Sequence, residues 1–225
     1  MGWLRLKRFL YQEFTPVTKG FIGVALLSFI AIFISSSLRI FPLRFFLELR
    51  TDRILLAPWT SITYPLANDL LSVVFASIWL WFTGGELERT WGSWRYGVFL
   101  TLIILATGFV MSSVSVVAGV YTTVSGLWLP LVGLTWAWAE LNPFREVLLW
   151  GIVPVKSRWL AWIHAGLNLI TYSGVNLFLG LASVSSIIIV YLFLPKGPFG
   201  KRKKPFSNSR QQIKKERRNR LRVIK

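Results

Sequence analysis

Ser125, followed by Gly126, lies in the apolar run "TTVSGLWLPLVGL" of residues 122–134. In such a run a serine is either a nucleophile or a small residue that lets two membrane helices approach closely. A serine hydroxyl reacts poorly at neutral pH unless an adjacent base takes its proton. Ser125 therefore needs a base if it is to react.

His164 is the only histidine of the chain, and it lies in the apolar segment "WLAWIHAGLNLI". We interpret it as a polar residue that forms hydrogen bonds within a helix bundle or lies near the membrane interface. A catalytic pair of Ser125 with His164 is the alternative. No lysine falls in the core of a predicted helix, and the chain has no cysteine. No spacing of side chains suits a metal, so the sequence predicts neither a metal nor a cofactor.

The composition indicates a membrane protein. Of the 225 residues, 54% are hydrophobic and 12 are tryptophan. A soluble domain of this length cannot bury so much apolar surface, whereas a bilayer removes the need to bury it. The formal net charge of +17 is concentrated at one end, because residues 196–225 hold thirteen Lys and Arg against one acid.

Six apolar segments are predicted to cross the bilayer, which takes roughly 20 residues per helix. They lie at about 20–40, 64–83, 96–118, 121–139, 157–171 and 173–194. The connector 41–60 is too charged to span and apolar enough to lie in the membrane interface. Residues 142–158, interrupted by prolines and charges, predict a cytoplasmic or interfacial hairpin.

The distribution of Lys and Arg predicts the orientation. The loops between helices three and four and between helices five and six carry no charge, whereas both termini are basic. Residues 39–60, with four arginines and two acids, are the one exception. The fold class is therefore predicted to be all-α: a polytopic membrane bundle of six helices at residues 20–194. Residues 1–19 and 195–225 are predicted to be basic segments on the cytoplasmic side.

Residues 58–100, "PWTSITYPLANDLLSVVFASIWLWFTGGELERTWGSWRYGVFL", resemble the rhomboid superfamily of intramembrane serine proteases. The family typically has Pro-Trp, then Thr and an aromatic residue, then a helix that ends Trp-Phe-x-Gly before a turn from Glu to Gly-Ser. The matching positions are Pro58-Trp59, Thr63-Tyr64, Trp81 to Gly84, and Glu86 to Ser93. The resemblance extends over about residues 55–194 and implies a six-helix bundle with the serine on the fourth helix.

The nucleophile of this family lies in Gly-x-Ser-Gly, which corresponds here to Thr123-Val124-Ser125-Gly126. The serine and the following glycine are kept, but a threonine replaces the leading glycine. The resemblance implies a histidine base on helix six. Alignment on Gly180 places that position at Ser173, and alignment on Gly174 places it at Thr171.

The resemblance also implies a histidine and an asparagine, four residues apart on helix two, that help to stabilise the oxyanion. The matching positions are Ser72 and Ala76. Loss of the base costs several powers of ten in rate, and each oxyanion donor contributes about 10²–10³. The resemblance thus implies that Ser125 is a vestigial nucleophile.

Asp69 and Asn68 begin the predicted second helix, where they either cap the helix or contribute to a polar cavity with Ser72, Ser125, Ser173 and Asn176. Small residues on helices four and six are predicted to allow close packing of these helices. The charged turn "GELERTWGSWR" is predicted to be an ion-paired loop that fixes helices two and three.

The basic tail is predicted to contact anionic lipid, and binding of ribosomal RNA or a cytoplasmic partner is the alternative. The residues expected to make these contacts are Lys201, Arg202, Lys203, Lys204, Lys214, Lys215, Arg217, Arg218, Arg220 and Arg222.

The function implied by the resemblance is that of a catalytically inactive rhomboid-like protein, a pseudoprotease. Such a protein binds membrane-protein clients or partners in recognition, trafficking or quality control. One alternative is an active intramembrane protease with an atypical Ser125 site. Another is a structural or assembly subunit of a larger membrane complex.

Overall fold

The computed structural model describes residues 15–39, 41–149 and 153–194. The helices are α1 (Pro16–Leu38), α2 (Leu43–Leu47), α3 (Thr60–Thr63), α4 (Leu70–Trp79), α5 (Gly85–Trp91), α6 (Ser93–Ala118), α7 (Trp128–Leu141), α8 (Ser157–Ser173), α9 (Leu177–Ser183) and α10 (Ser186–Phe193). Two short antiparallel pairs accompany them: β1 (Leu49–Arg50) with β2 (Thr123–Val124), and β3 (Glu146–Leu149) with β4 (Val153–Lys156). By packing, the chain divides into residues 1–190 and residues 191–225.

Among the described residues, three helices are long and apolar enough to cross a membrane: α1, the continuous helix Leu70–Trp91, and α6. A shorter apolar segment covers Leu177–Phe193. Large apolar side chains lie on the surface of these helices, with Leu27 68% and Phe109 70% exposed. Exposed apolar surface of this extent is expected where lipid, not water, surrounds the helices. The apolar helices therefore indicate an integral membrane protein.

The core of the bundle is α7, whose residues from Leu129 to Ala139 are all buried. A helix that is apolar on every side must be surrounded by other elements, and α7 packs against both α6 and α8. At Gly133, an added Cβ would lie 2.9 Å from the Ser186 Cβ and 3.1 Å from the Ile103 Cδ1. Glycine at this position therefore allows the close approach that small residues were predicted to provide.

The second predicted helix begins later and ends later than expected. It starts at Leu70, and it continues through a π-helical turn, Leu80–Gly84, into α5. The turn expected after residue 83 does not form, because Gly84 and Gly85 both keep helical dihedral angles. The helix ends only at Gly92, which has a φ of 85°.

The prediction that Ser125 lies on the fourth helix is wrong. That helix, α7, begins at Trp128, and Ser125 lies between it and β2. Gly126 has a φ of 77°, a left-handed conformation that a helix interior does not accommodate. The preceding Thr123 and Val124 are extended because they pair with Arg50 and Leu49.

The predicted start of the sixth helix is also wrong. Ser173 is the last residue of α8, and Thr171 lies within α8, so neither assigned base position is on the sixth helix. The next helix begins after Asn176, whose Oδ1 accepts the N–H of Phe178 at 2.9 Å. This N-cap sets the boundary. A break at Val184–Ser185 then separates α9 from α10.

The hairpin predicted at residues 142–158 is confirmed, since β3 and β4 pair from Glu146 with Lys156 to Leu149 with Val153. Its position relative to the membrane stays a prediction.

Candidate functional site

Ser125 is half-buried at the point where β2 leads into α7. The strand before it is held by Thr51, whose N–H donates to the Thr122 carbonyl at 3.1 Å and whose hydroxyl accepts the Thr122 N–H at 2.9 Å. The Ser125 hydroxyl makes no side-chain hydrogen bond within residues 15–39, 41–149 and 153–194. The position is thus fixed by backbone contacts, without a group that would take the serine proton.

The two amides that follow Ser125 are both engaged. The N–H of Gly126 donates to the Tyr64 carbonyl at 2.9 Å, and the N–H of Leu127 donates to Asn68 Oδ1 at 3.2 Å. An oxyanion hole requires donors that are directed at the developing charge. These amides are directed at protein acceptors instead.

Asn68 was predicted to be a helix cap or a cavity residue, but in the structure it connects two distant backbone segments. It is 1% exposed, and its Nδ2 donates to the Pro65 carbonyl at 2.6 Å while its Oδ1 accepts from Leu127. An added Cβ on Gly126 would lie 2.9 Å from Asn68 Oδ1. Asn68 therefore holds the segment around Ser125 against the start of α4, over a sequence separation that the sequence pattern does not reveal.

Asp69 caps α4, which is one of the two roles predicted for it from the sequence. Its Oδ1 accepts the N–H of Ser72 at 2.7 Å. This hydrogen bond to the backbone of Ser72 is the main reason that the pKa of Asp69 lies below its ordinary value. The carboxylate is exposed, so the cap needs no further partner.

Ser72 and Ala76, the expected oxyanion positions, both lie on α4. The Ser72 hydroxyl accepts the indole N–H of Trp128 at 3.1 Å. Ala76 is 1% exposed and offers only a methyl group. No hydrogen bond joins either position to Ser125 within the described residues.

His164 lies on α8 with its Nδ1 3.2 Å from the Thr135 hydroxyl. That hydroxyl also donates to the Leu131 carbonyl at 2.7 Å and accepts the indole N–H of Trp79 at 2.8 Å. A threonine hydroxyl has only one proton, and the shorter contact to Leu131 takes it. We therefore assign the imidazole proton to Nδ1, which donates to Thr135, so that Trp79, Thr135 and His164 join three helices.

No hydrogen bond joins Ser125 to His164 in the part of the chain that the structure describes. The ring of Trp128 lies edge-on to His164 with 6.3 Å between the centroids, and the same indole contacts Ser72. The buried Nε2 of His164 has no hydrogen-bond partner among the described residues. His164 is thus a residue of the bundle interior, as its first interpretation proposed.

Among the described residues, no hydrogen bond joins Asp69 or Ser72 to Ser125, Ser173 or Asn176, the other members of the predicted polar cavity. Asp69 and Asn176 each cap a helix. The Ser173 hydroxyl lies against the Cα of Gly180, and it is buried without a described partner. Ser173 therefore packs α8 against α9.

The charged segment predicted as a turn is the helix α5, and it is connected to more of the bundle than predicted. Glu88 is 2% exposed, and its carboxylate accepts the N–H of Val17 at 3.0 Å, the N–H of Thr18 at 2.8 Å and the Thr18 hydroxyl at 2.8 Å. It thereby caps the first helix. Glu86 accepts the indole N–H of Trp138 at 2.8 Å and pairs with Arg145 at 2.6 Å, next to the hairpin.

The basic residues expected to bind lipid or RNA fall in 195–225, outside the described residues. Within the described residues, no group of three His, Cys, Asp or Glu side chains is arranged to hold a metal ion.

Comparison with known proteins finds no protein-family model that matches this chain. The chain is 24% identical over 111 residues to the rhomboid protease GlpG of Salmonella paratyphi A, a match that covers 46% of this chain and 40% of the relative. The same identity and coverage are found with the rhomboid proteases GlpG of Salmonella newport and Salmonella heidelberg. The chain thus matches less than half the length of these relatives. Together with the apolar helices, the similarity supports a rhomboid-like membrane protein.

Proposed function

We propose that this chain is a rhomboid-like pseudoprotease that binds other membrane proteins through its helices. The main support for the proposal is the environment of Ser125. Its hydroxyl has no hydrogen-bonded base among the described residues, and the amides of Gly126 and Leu127 donate to Tyr64 and Asn68. Without a base, a serine lacks the activation that acyl transfer requires.

A fluorophosphonate probe tests the absence of a reactive serine. We expect no labelling of the wild-type chain above that of Ser125→Ala, while the rhomboid protease GlpG of Salmonella paratyphi A serves as the positive control in the same membranes. Labelling that depends on Ser125 would establish the alternative, an active protease.

Client binding is supported by an apolar groove of about 760 Å³ between α6 and residues 178–188. Small side chains line part of it, including Ser113, Ala182 and Ser185. The Ser185 hydroxyl is buried and has no partner among the described residues. Small residues and hydroxyl groups favour association of membrane helices, so the proposed occupant is a transmembrane helix of a client.

Substitution at the edge of this groove tests that occupant. Val117 is 88% exposed there, so Val117→Trp is expected to fold and to reduce the membrane proteins that co-purify in mild detergent. Leu27→Trp, on the exposed face of α1, is the matched control. Equal recovery of partners from both variants would remove the groove from the proposal. It would leave the subunit of a larger complex as the remaining class.

The proposed topology has six membrane helices with both termini in the cytoplasm. The chain contains no cysteine, so maleimide labelling of a single-cysteine variant reports only the introduced residue. A membrane-impermeant maleimide is expected to label Tyr121→Cys on intact cells. Phe144→Cys is expected to react only after permeabilisation. The opposite pattern would invert the topology.

A further inference from the structure

We propose that the connector between the first two membrane helices holds the head group of an anionic phospholipid, with Arg50 and Arg53 contacting its phosphate. This inference goes beyond the proposed function and does not depend on whether Ser125 is reactive. Only the argument from the side of the membrane on which the connector lies rests on the proposed topology.

The pocket that would hold the head group has a volume of about 230 Å³. Its walls include Phe45, Trp59 and the two arginines. Pockets for drug-sized ligands measure about 300–1,000 Å³, so this one suits a fragment such as a phosphoglycerol group. Arg50 and Arg53 both lie over the ring of Phe45, with their Cζ atoms 5.2 Å and 4.6 Å from its centroid. The two guanidinium groups therefore share one aromatic ring, and both also lie within 4 Å of the Asp52 carboxylate.

The charges around this pocket leave a surplus of one positive charge. Asp52 is the only carboxylate paired with both arginines in the described connector, at 3.3 Å from Arg50 and 3.7 Å from Arg53. Glu48 pairs with Arg44 at 3.8 Å. Arg50 donates to Asp52, but the Arg53 guanidinium makes no hydrogen bond within the described residues. Because guanidinium groups recognise phosphate through paired N–H donors, Arg53 has the donors that a phosphate needs.

The residues next to the pocket are suited to a membrane interface. Leu55 and Leu56 are 93% and 80% exposed, directly after Arg53. Large aliphatic side chains in this position gain stability by entering the acyl region while the arginines stay at the level of the head groups. Trp59, which also lines the pocket, is a residue type that concentrates at this level.

The position of the arginines gives a separate reason for a bound anion. In the proposed topology the connector lies opposite the basic tail, on the side where Lys and Arg are disfavoured. Four arginines and two acids occur in residues 39–60. A lipid with one negative charge would compensate the surplus at Arg50, Arg53 and Asp52.

Native mass spectrometry of the full chain tests this site with vesicles of phosphatidylcholine alone or mixed equally with phosphatidylglycerol. We expect the wild type to retain phosphatidylglycerol in preference. Arg53→Gln should lower the ratio of lipid-bound to lipid-free chain about fivefold, the effect of one basic residue at a membrane surface. Arg39→Gln, in the same segment 39–60 but outside the pocket lining and its ion pairs, is the matched control and should leave the ratio unchanged.

The basic tail is a second place where anionic lipid can bind, so the site must be located directly. A phosphatidylglycerol analogue with a photoreactive head group is expected to label peptides from residues 41–60 in the wild type and less in Arg53→Gln. Labelling confined to residues 195–225 would overturn the proposal. An equal fall in lipid retention for Arg39→Gln and Arg53→Gln would also overturn it, because it would show a diffuse charge effect. Matching thermal unfolding of the two variants excludes a folding defect.

Discussion

The indole N–H of Trp128 donates to the Ser72 hydroxyl at 3.1 Å, and this contact ties α7 to α4 beside Ser125. The resemblance to rhomboids implies a catalytic helper at position 72. In this chain the position serves the packing of two helices instead. The same indole lies edge-on to the His164 ring, so this half-exposed side chain contacts α4 and α8 as well as its own helix.

Gly126→Ala is predicted to destabilise the chain. Its φ of 77° costs an alanine roughly 1–2 kcal/mol, and the new Cβ would lie 2.9 Å from Asn68 Oδ1. Gly23→Ala is the control, because no atom lies within 4 Å of the added Cβ and the residue lies inside α1. That change should stabilise by roughly 0.5–1 kcal/mol. Unfolding in detergent micelles measures both. Equal stability of the two variants would contradict the left-handed conformation at Gly126.

Asn68→Ala is predicted to lower the free energy of unfolding by about 1–3 kcal/mol, the cost of leaving a buried amide unsatisfied. The affected donor is the N–H of Leu127, which is also buried. Ser72→Ala, which removes a more exposed hydrogen bond, is expected to cost about 1 kcal/mol or less. The same unfolding measurement compares them. If Ser72→Ala were the more costly change, Asn68 would not be the main support of the Ser125 segment.

Glu88→Ala is predicted to be among the more costly single changes at this end of the bundle. It would leave the amides of Val17 and Thr18 without their acceptor, at about 1–3 kcal/mol for an unsatisfied buried group. Glu146→Gln, on the exposed hairpin, removes an acid of the same type and should change stability by less than about 0.5 kcal/mol. A small effect of Glu88→Ala would show that water replaces the carboxylate.

The Asp69 cap predicts a dependence of stability on pH. The hydrogen bond from the Ser72 backbone lowers the pKa of Asp69 in the folded chain. Its stabilising contribution is therefore fully present above the unfolded pKa of about 3.9 and is lost as pH falls through the folded-state pKa.

Asp69→Asn keeps a capping oxygen but cannot titrate. The difference in midpoint of thermal unfolding between the wild type and Asp69→Asn is expected to be constant near neutral pH. It should shrink below about pH 3.9. A difference that stays constant into strong acid would exclude Asp69 as the titrating cap.

The sequence predicted where the apolar helices lie along the chain, because hydrophobic length is a local property. Three of the described helices are long enough to cross a membrane, and the count of six spans stays a prediction. The sequence prediction failed at the ends of the helices. Gly126 and Asn176 set two boundaries through a left-handed dihedral angle and a side-chain cap, and several glycines nearby look equally suitable in the sequence. A turn was predicted after residue 83, but Gly84 and Gly85 both remain helical.

At the candidate site, too, local residue types could be compared with a pattern, whereas contacts between distant residues could not be predicted. The assignment of the expected helper positions to Ser72 and Ala76 comes from residue types aligned to a family pattern, and it stays a prediction. The hydrogen bond from Leu127 to Asn68 spans 59 positions, and that from Thr18 to Glu88 spans 70. Such pairings depend on how helices meet in three dimensions, which no local spacing encodes.

The cap that Glu88 places on α1 has a consequence for the order of assembly during synthesis. The carboxylate follows Thr18 by 70 positions, so at about 5–20 residues per second it is made roughly 4–14 s after the amide that it binds. Until then the first helix has no such acceptor for its leading amides. The nascent chain can therefore complete the cap of α1 only after Glu88, near the end of the second membrane helix, has been translated.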